Sequence, residues 1–281
     1  MTDALVLGGG GVAGIAWITG LLAGLAEAGQ DVSGADVLVG TSAGATVAAQ
    51  LGSGLSLDEL YARQTEPALQ SAEIMAEVDL ANFGASIAEV LEGAASVPDM
   101  RRAVGRFALG AETVPEEERR RVIESRLPSH DWSASRTVRI VAVDAETGQP
   151  EVFDGSSGVD LVDAVAASCA VPGVWPPVTI DGRRFVDGGV RSAANADYAV
   201  GASRVLAIVP MGATELFPSE RPLEQAVREL RAAGAEVAVV GPDEASLAAI
   251  GTNPLDPATR RPAAEAGRAQ GRELEIEWSR G

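Results

Sequence analysis

Val37-Leu38-Val39-Gly40-Thr41-Ser42-Ala43-Gly44 decides how this chain is read. The apolar run reads as a short buried strand, and the Ala/Val-rich stretch from Ala43 to Leu51 reads as a helix. Between them stands G-x-S-x-G, the pattern of a nucleophile elbow, which exposes a serine at the tip of a sharp strand-to-helix turn. The backbone of such a turn is strained. Side chains two residues either way would collide with the neighbouring strand or helix, and Gly40 and Gly44 remove those Cβ atoms. The helix behind Ser42 aims its N-terminal N–H groups, and the positive end of its dipole, at the hydroxyl. The bland alternative is an ordinary Gly-rich turn.

One unit earlier, Ala4 to Leu7 reads as another strand, ended by Gly8-Gly9-Gly10-Gly11. A helix from about Gly14 through Ala28 follows, with Gly29 as its stop signal. Strand, glycine turn, helix, strand is a βαβ unit, so the two strands are expected to be parallel. Consecutive glycines can turn the backbone N–H groups of Gly9, Gly10 and Gly11 into one concavity, suited to the oxyanion of acyl transfer. The same run carries G-x-G-x-x-G at Gly9, Gly11 and Gly14, the glycine pattern of a dinucleotide site. That fingerprint also wants an acid at the end of the second strand. The strand ends instead in Gly40-Thr41-Ser42, with Asp36 at its start. The hydrolase reading is favoured, and a nucleotide- or small-molecule-binding α/β protein is the alternative.

A serine nucleophile needs a base, and the chain has one histidine. His130 lies in the polar turn Pro128-Ser129-His130-Asp131-Trp132. With Asp187 as third member the order would be Ser, His, Asp, unlike the Ser, acid, His order of α/β-hydrolases. Asp187 is the better candidate. It closes the strand Phe185-Val186-Asp187, and Gly188 and Gly189 let the backbone turn sharply around it. Its bland reading is an Asp-Gly turn residue. As a base it must lie within hydrogen-bond reach of Ser42, with burial raising its pKa from about 3.9.

From Leu57 to about Leu127 the chain reads as a helical insertion divided by Pro67, Pro98 and Pro115. Inside it, Glu116-Glu117-Glu118-Arg119-Arg120-Arg121 reads as a solvated helix face. Two hairpins follow, Thr137–Val143 with Glu151–Phe153, and Val178–Ile180 with Arg183–Val186 across Asp181-Gly182. A short helix from Val159 to Ala167 separates them. The α/β rhythm then resumes: helix Ala194–Gly201, strand Val205–Val209, helix Pro222–Ala233, strand Glu236–Val240, and a helix from Pro257 to about Glu273 rich in Gly, Pro and Arg. The expectation is an α/β fold with a mostly parallel central sheet, residues 1–281 forming a single domain with an insertion at about 57–127.

Hydrophobic residues make up 46% of the 281, enough for a sizeable core. The net charge of −18 repels phosphate backbones, so nucleic acid is not an expected partner. It also disfavours adsorption to an anionic bilayer by bulk charge, leaving a local lipid-binding patch open. The single cysteine, Cys169, excludes an intrachain disulfide and a Cys-based zinc site, and reads as a small buried hydrophobe. The start of the chain lacks a basic n-region and no apolar run reaches spanning length, so a cytoplasmic protein is expected. Neither a cofactor nor a metal is expected. Oligomeric state is not legible.

Three blocks taken in order resemble the patatin-like phospholipases: Gly9-Gly10-Gly11-Val12-Ala13-Gly14, Gly40-Thr41-Ser42-Ala43-Gly44 and Asp187-Gly188-Gly189. Ala167-Ser168-Cys169-Ala170-Val171-Pro172, with Pro176-Pro177 after it, is similar to that family's segment ahead of the Asp-Gly-Gly. The resemblance implies a three-layer α/β/α fold and a Ser–Asp dyad, with Ser42 as nucleophile, Asp187 as base and the glycine block as oxyanion hole. It implies an acyl ester of a lipid as substrate; transient contact with a membrane or micelle is left open. The family usually carries Arg or Lys where this chain has Ala13. That departure motivates a third reading, a relative that binds lipid but has lost catalysis.

Overall fold

The computed structural model describes residues 1–76, 80–213 and 215–279, without the side chains of residues 80–83. The chain begins with β1 (Asp3–Leu7), α1 (Gly11–Glu27), β2 (Val37–Gly40) and α2 (Ala43–Gly52). The insertion follows as α3 (Leu57–Thr65), a 3-10 turn at Pro67–Leu69, α4 (Leu80–Glu92), α5 (Val97–Gly110) and α6 (Glu116–Arg126). Then come β3 (Thr137–Asp144), β4 (Pro150–Phe153), α7 (Leu161–Ser168), β5 (Val178–Ile180) and β6 (Arg183–Asp187). The remainder holds β7 (Arg204–Ile208), α8 (Leu223–Ala232), β8 (Glu236–Val240), α9 (Glu244–Ile250) and α10 (Arg260–Glu273).

Among the described residues the eight strands form one sheet in the order β5-β6-β3-β2-β1-β7-β8, with β4 also paired to β3. β1, β2, β3, β7 and β8 run parallel, while β4, β5 and β6 pair antiparallel. Both faces are covered. Leu5, Leu7, Leu38, Ile140, Leu206 and Ile208 pack under α1, α2, α7 and α10. Their strand neighbours Ala4, Val6, Val39, Val205, Ala207 and Val237 face Leu223, Ala226, Val227 and Leu230 of α8. The result is an α/β/α fold of three layers with a mostly parallel sheet, as the resemblance implied. The order reverses between β1, flanked by β2, and β7, so the carboxyl ends of these strands open a crevice of the kind in which α/β folds bind ligands.

Strand β3 carries the detail that matters most for the site. Its odd-numbered residues bond one edge: Thr137 N–H donates to Asp36, and Ala145 N–H donates to Arg184. Asp144 N–H points the other way, to Gln149 ahead of β4. β2 and β6 therefore lie end to end along the same edge of β3. Gly40 pairs with Ile140 and Asp187 with Ala142, so the end of β2 faces the end of β6.

Two expected elements differ. α1 starts at Gly11 rather than about Gly14, because Gly14 N–H already bonds Gly10 and Gly11 takes φ 62°, which glycine adopts freely. The expected helix over Ala194–Gly201 shrinks to a 3-10 turn at Ala196–Ala199. Asn195 sits in the left-handed region at φ 52°, held there by its side-chain amide, which donates to Thr41 Oγ1, Gly188 O and Ser192 O. Among the described residues no helix is long and apolar enough to cross a membrane.

Candidate active site

Ser42 stands between β2 and α2 with φ 54° and ψ −114°, a strained conformation for a residue with a Cβ. The surroundings over-determine it. A Cβ on Gly44 would lie 1.9 Å from the Leu7 carbonyl oxygen of β1, and one on Gly40 would lie 2.5 Å from Ala45 Cα of α2. The two bare positions let the elbow sit directly on the neighbouring strand and helix. Ser42 N–H donates to Ser168 Oγ at 2.9 Å, and Ser168 Oγ donates to Val141 O at 2.6 Å. Val141 belongs to the edge of β3 where β2 stops and β6 arrives, so Ser168 fills the gap between the two strands. Cys169 Sγ donates to Ser42 O at 3.2 Å. The end of α7 thus grips the elbow through both its peptide groups. No sequence pattern signalled this role for Ser168.

Asp187 ends β6 and is buried. Its Oδ1 accepts from Gly189 N at 2.7 Å, its own N–H donates to Ala170 O at 3.0 Å, and the Ser42 side chain lies near enough to its carboxylate to act on its pKa. Burial pushes its pKa up to about 6, against the pull of the Gly189 hydrogen bond and of the nearby Ser42 side chain. Gly188 is required here, since a Cβ would meet Val141 O at 2.3 Å. The Asn195 amide ties Gly188 to Thr41, joining the turn after Asp187 to the elbow.

The glycine run lies beside the serine: a Cβ on Gly9 would come 3.6 Å from Ser42 Cβ. The Gly9 N–H is taken by Ala193 O at 3.0 Å. Among the described residues, the Gly10 and Gly11 N–H groups meet no acceptor, nor does that of Ala43 at the start of α2. Ala13 is fully buried, and its N–H donates to Pro254 O at 3.0 Å. Pro210 and Pro254 close over the start of α1, so that a Cβ on Gly10 or Gly11 would fall within 2.7 Å of one or the other. A pyrophosphate needs that first turn open. This packing disfavours the dinucleotide reading.

His130 is exposed and lies by Glu124 at the end of α6, its Nε2 3.3 Å from the carbonyl oxygen. The structure does not bring it to Ser42. Cys169 is buried, and burial raises its thiol pKa, as expected of a small hydrophobe rather than a nucleophile. The charge run of α6 is only partly a solvated face. Arg121 pairs with Glu117, and Arg120 lies 3.9 Å from Glu124, at helical spacing. Arg119, however, is buried with its guanidinium 3.8 Å over the Trp175 ring. The run supplies an inward cation because a helix cannot put six consecutive residues on one face.

A family profile described as patatin-like phospholipase matches residues 5–200. Among solved structures, VipD from Legionella pneumophila aligns with 97% of this chain and 66% of that one, at 13% identity and a TM-score of 0.47. The type III effector protein ExoU aligns with 99% of this chain and 55% of that one, at 19% identity and a TM-score of 0.37. The chain spans less than two thirds of the length of either. The matched profile runs from β1 through the Asp-Gly-Gly turn, taking in the glycine block, Ser42 and Asp187. The chain therefore belongs to the patatin-like phospholipase family, whose activity at the level of the family is lipid acyl hydrolysis.

Proposed function

We propose that the chain is a serine hydrolase of lipid acyl esters working through a Ser42–Asp187 dyad. The observation that carries this reading is the placement of a buried carboxylate, Asp187 at the end of β6, against the Ser42 elbow at the end of β2, with its pKa pushed up to about 6. Asp187 takes the hydroxyl proton as Ser42 Oγ attacks the ester carbonyl. The carbonyl oxygen becomes an oxyanion, which Gly10 and Gly11 N–H groups receive, with the dipoles of α1 and α2 behind them. Gly9 contributes a bare wall rather than a donor. Collapse of the tetrahedral intermediate breaks the ester C–O bond, and Asp187 returns its proton to the leaving alcohol. Water then attacks the acyl-serine, giving its proton to Asp187, and the carboxylic acid leaves as Ser42 is regenerated. No imidazolium forms, so no third residue is needed. The reaction belongs in the cytoplasm at a transient contact with a membrane or micelle that delivers the ester.

Purified protein should turn over a chromogenic acyl ester and label with a fluorophosphonate. Ser42→Ala and Asp187→Asn should each lower turnover by at least about 10³-fold, whereas His130→Ala should keep it. Equal loss in His130→Ala would overturn the dyad. Absence of turnover in the wild type would favour the lipid-binding reading.

A further inference from the structure

The cleft lined by Ser42, Ala43 and Gly11 is also lined by Glu73, Arg119 and Arg126. Three buried guanidinium groups surround Glu73: Arg119 and Arg126 from α6, which line the cleft, and Arg260 from the start of α10, which lines the neighbouring pocket behind it. Among the described residues they share one carboxylate. Arg126 grips Glu73 with two bonds, at 3.0 and 2.6 Å, and Arg260 bonds its Oε1. Arg119 Nη1 lies 3.9 Å away, beyond hydrogen-bond reach. The Arg119 Nε and Nη1 groups, and Arg260 Nε, are buried without an acceptor.

Three cations against one anion leave a surplus of positive charge out of water, which is costly unless an anion answers it. Burial, and Arg126 beside it, push the Arg119 pKa down to about 9, so it keeps its charge at neutral pH. Burial works to raise the Glu73 pKa, but Arg126, Arg260 and Arg119 outweigh it and hold the carboxyl ionised, below its ordinary range. Arg119 is also oriented in advance by Trp175. Planar guanidinium forks with unused N–H groups match the oxygens of a phosphate.

We propose that Arg119 and Arg126, backed by Arg260 on the far side of Glu73, form an anion site in the wall of the Ser42 cleft that takes the phosphate group of an anionic acyl ester, with Glu73 as its resident counter-ion in the free protein. The proposal rests on the acyl-hydrolase reading above. The free volume of the cleft, about 20 Å³, admits a water but not a phosphate. Glu73 therefore yields part of its place when the phosphate enters. It sits in a stretch with neither helix nor strand, and the arginines trade one carboxylate for an anion of higher charge. The positive charge that Ala13 withholds from the glycine block is thereby supplied by the helices α6 and α10.

The test compares 1-oleoylglycerol 3-phosphate with 1-oleoylglycerol as monomeric substrates. The ratio of kcat/KM, phosphate ester over neutral ester, should fall about tenfold in Arg119→Gln, through KM, and rise in Glu73→Gln. Opposite signs in the two variants separate recognition from general damage to the fold. In parallel, Ser42→Ala is titrated calorimetrically with inorganic phosphate, which should bind, more weakly after Arg119→Gln and more tightly after Glu73→Gln. An unchanged ratio in both variants overturns the proposal even if neutral esters are cleaved through Ser42. Binding of inorganic phosphate with no preference for the phosphate ester overturns the substrate assignment and gives the site to free phosphate. Arg119-dependent phosphate binding in a protein that cleaves neither ester leaves the anion site standing while the hydrolase reading falls.

Discussion

Ser42 is held through its own peptide groups, by Ser168 at the N–H and Cys169 at the carbonyl. Ser168→Ala removes both the acceptor for Ser42 and the donor for Val141, two buried bonds, so it should cost about 2–4 kcal/mol in urea melts and lower kcat as the elbow relaxes. The partner carboxylate sets the pH response. In the proposed mechanism Asp187 works as a base only when ionised, so kcat/KM should fall as pH drops through about 6. The same shift works against the fold. With a folded pKa of about 6 and an unfolded value of 3.8, the native state holds the proton more tightly. Proton-linked stability is therefore full below 3.8 and lost as pH rises through about 6, a change of about 3 kcal/mol. Asp187→Asn should accordingly raise the urea midpoint at pH 7.5 while abolishing activity, and the gain should vanish near pH 4. The proposed pair stood out because Gly40 and Gly44 bracket Ser42 and Gly188 and Gly189 follow Asp187, marking where the backbone turns. Ser168 did not, because its bond to Ser42 spans 126 positions with no periodic signal. Arg119 was hidden inside a run whose other members do face solvent.

The helices show how a composition that looks poor in isolation can be right in context. The Gly, Pro and Arg content of residues 257–273 suits a helix badly, yet α10 forms and packs on α1 at backbone contact. A Cβ on Gly20 would lie 2.1 Å from Ala264 O, and one on Gly24 would lie 2.2 Å from Arg268 O. From the other side, Gly267 and Gly271 meet Trp17 O and Leu21 O, each at 2.3 Å. The missing side chains are what permit the approach, and helix propensity gives way to packing. Gly24→Val should push the pair apart and destabilise by about 3 kcal/mol in chemical melts, with circular dichroism at low denaturant little changed. α9 escaped the sequence reading although its start was written in Asp243, whose side chain caps Ser246 N–H. The turn at Asp181-Gly182 was legible for the opposite reason: both residues take positive φ, as a two-residue hairpin demands.

At the level of the whole molecule, the parallel core strands were legible from short apolar runs and glycine stops. The meeting of β2 and β6 end to end was not, since it depends on which edge of β3 each finds. The insertion is fastened to the far end of the chain, with Glu73 bound by Arg260 and the Thr65 carbonyl by Arg261. Removing residues 260–279 would uncover the α1 face that carries Trp17 and Leu21, both fully buried. The intact protein should melt in one cooperative thermal transition and such a truncation should lose it. The carbonyl of Pro254, which bonds the Ala13 amide, also comes from this late region. Ser42 and Asp187 are translated well before it. A ribosome-bound chain of 200 residues would carry both groups and their immediate holders yet lack Pro210, Pro254 and the α10 cover of α1, so on the proposed reading nascent protein should not turn over lipid esters until residue 273 has cleared the exit tunnel.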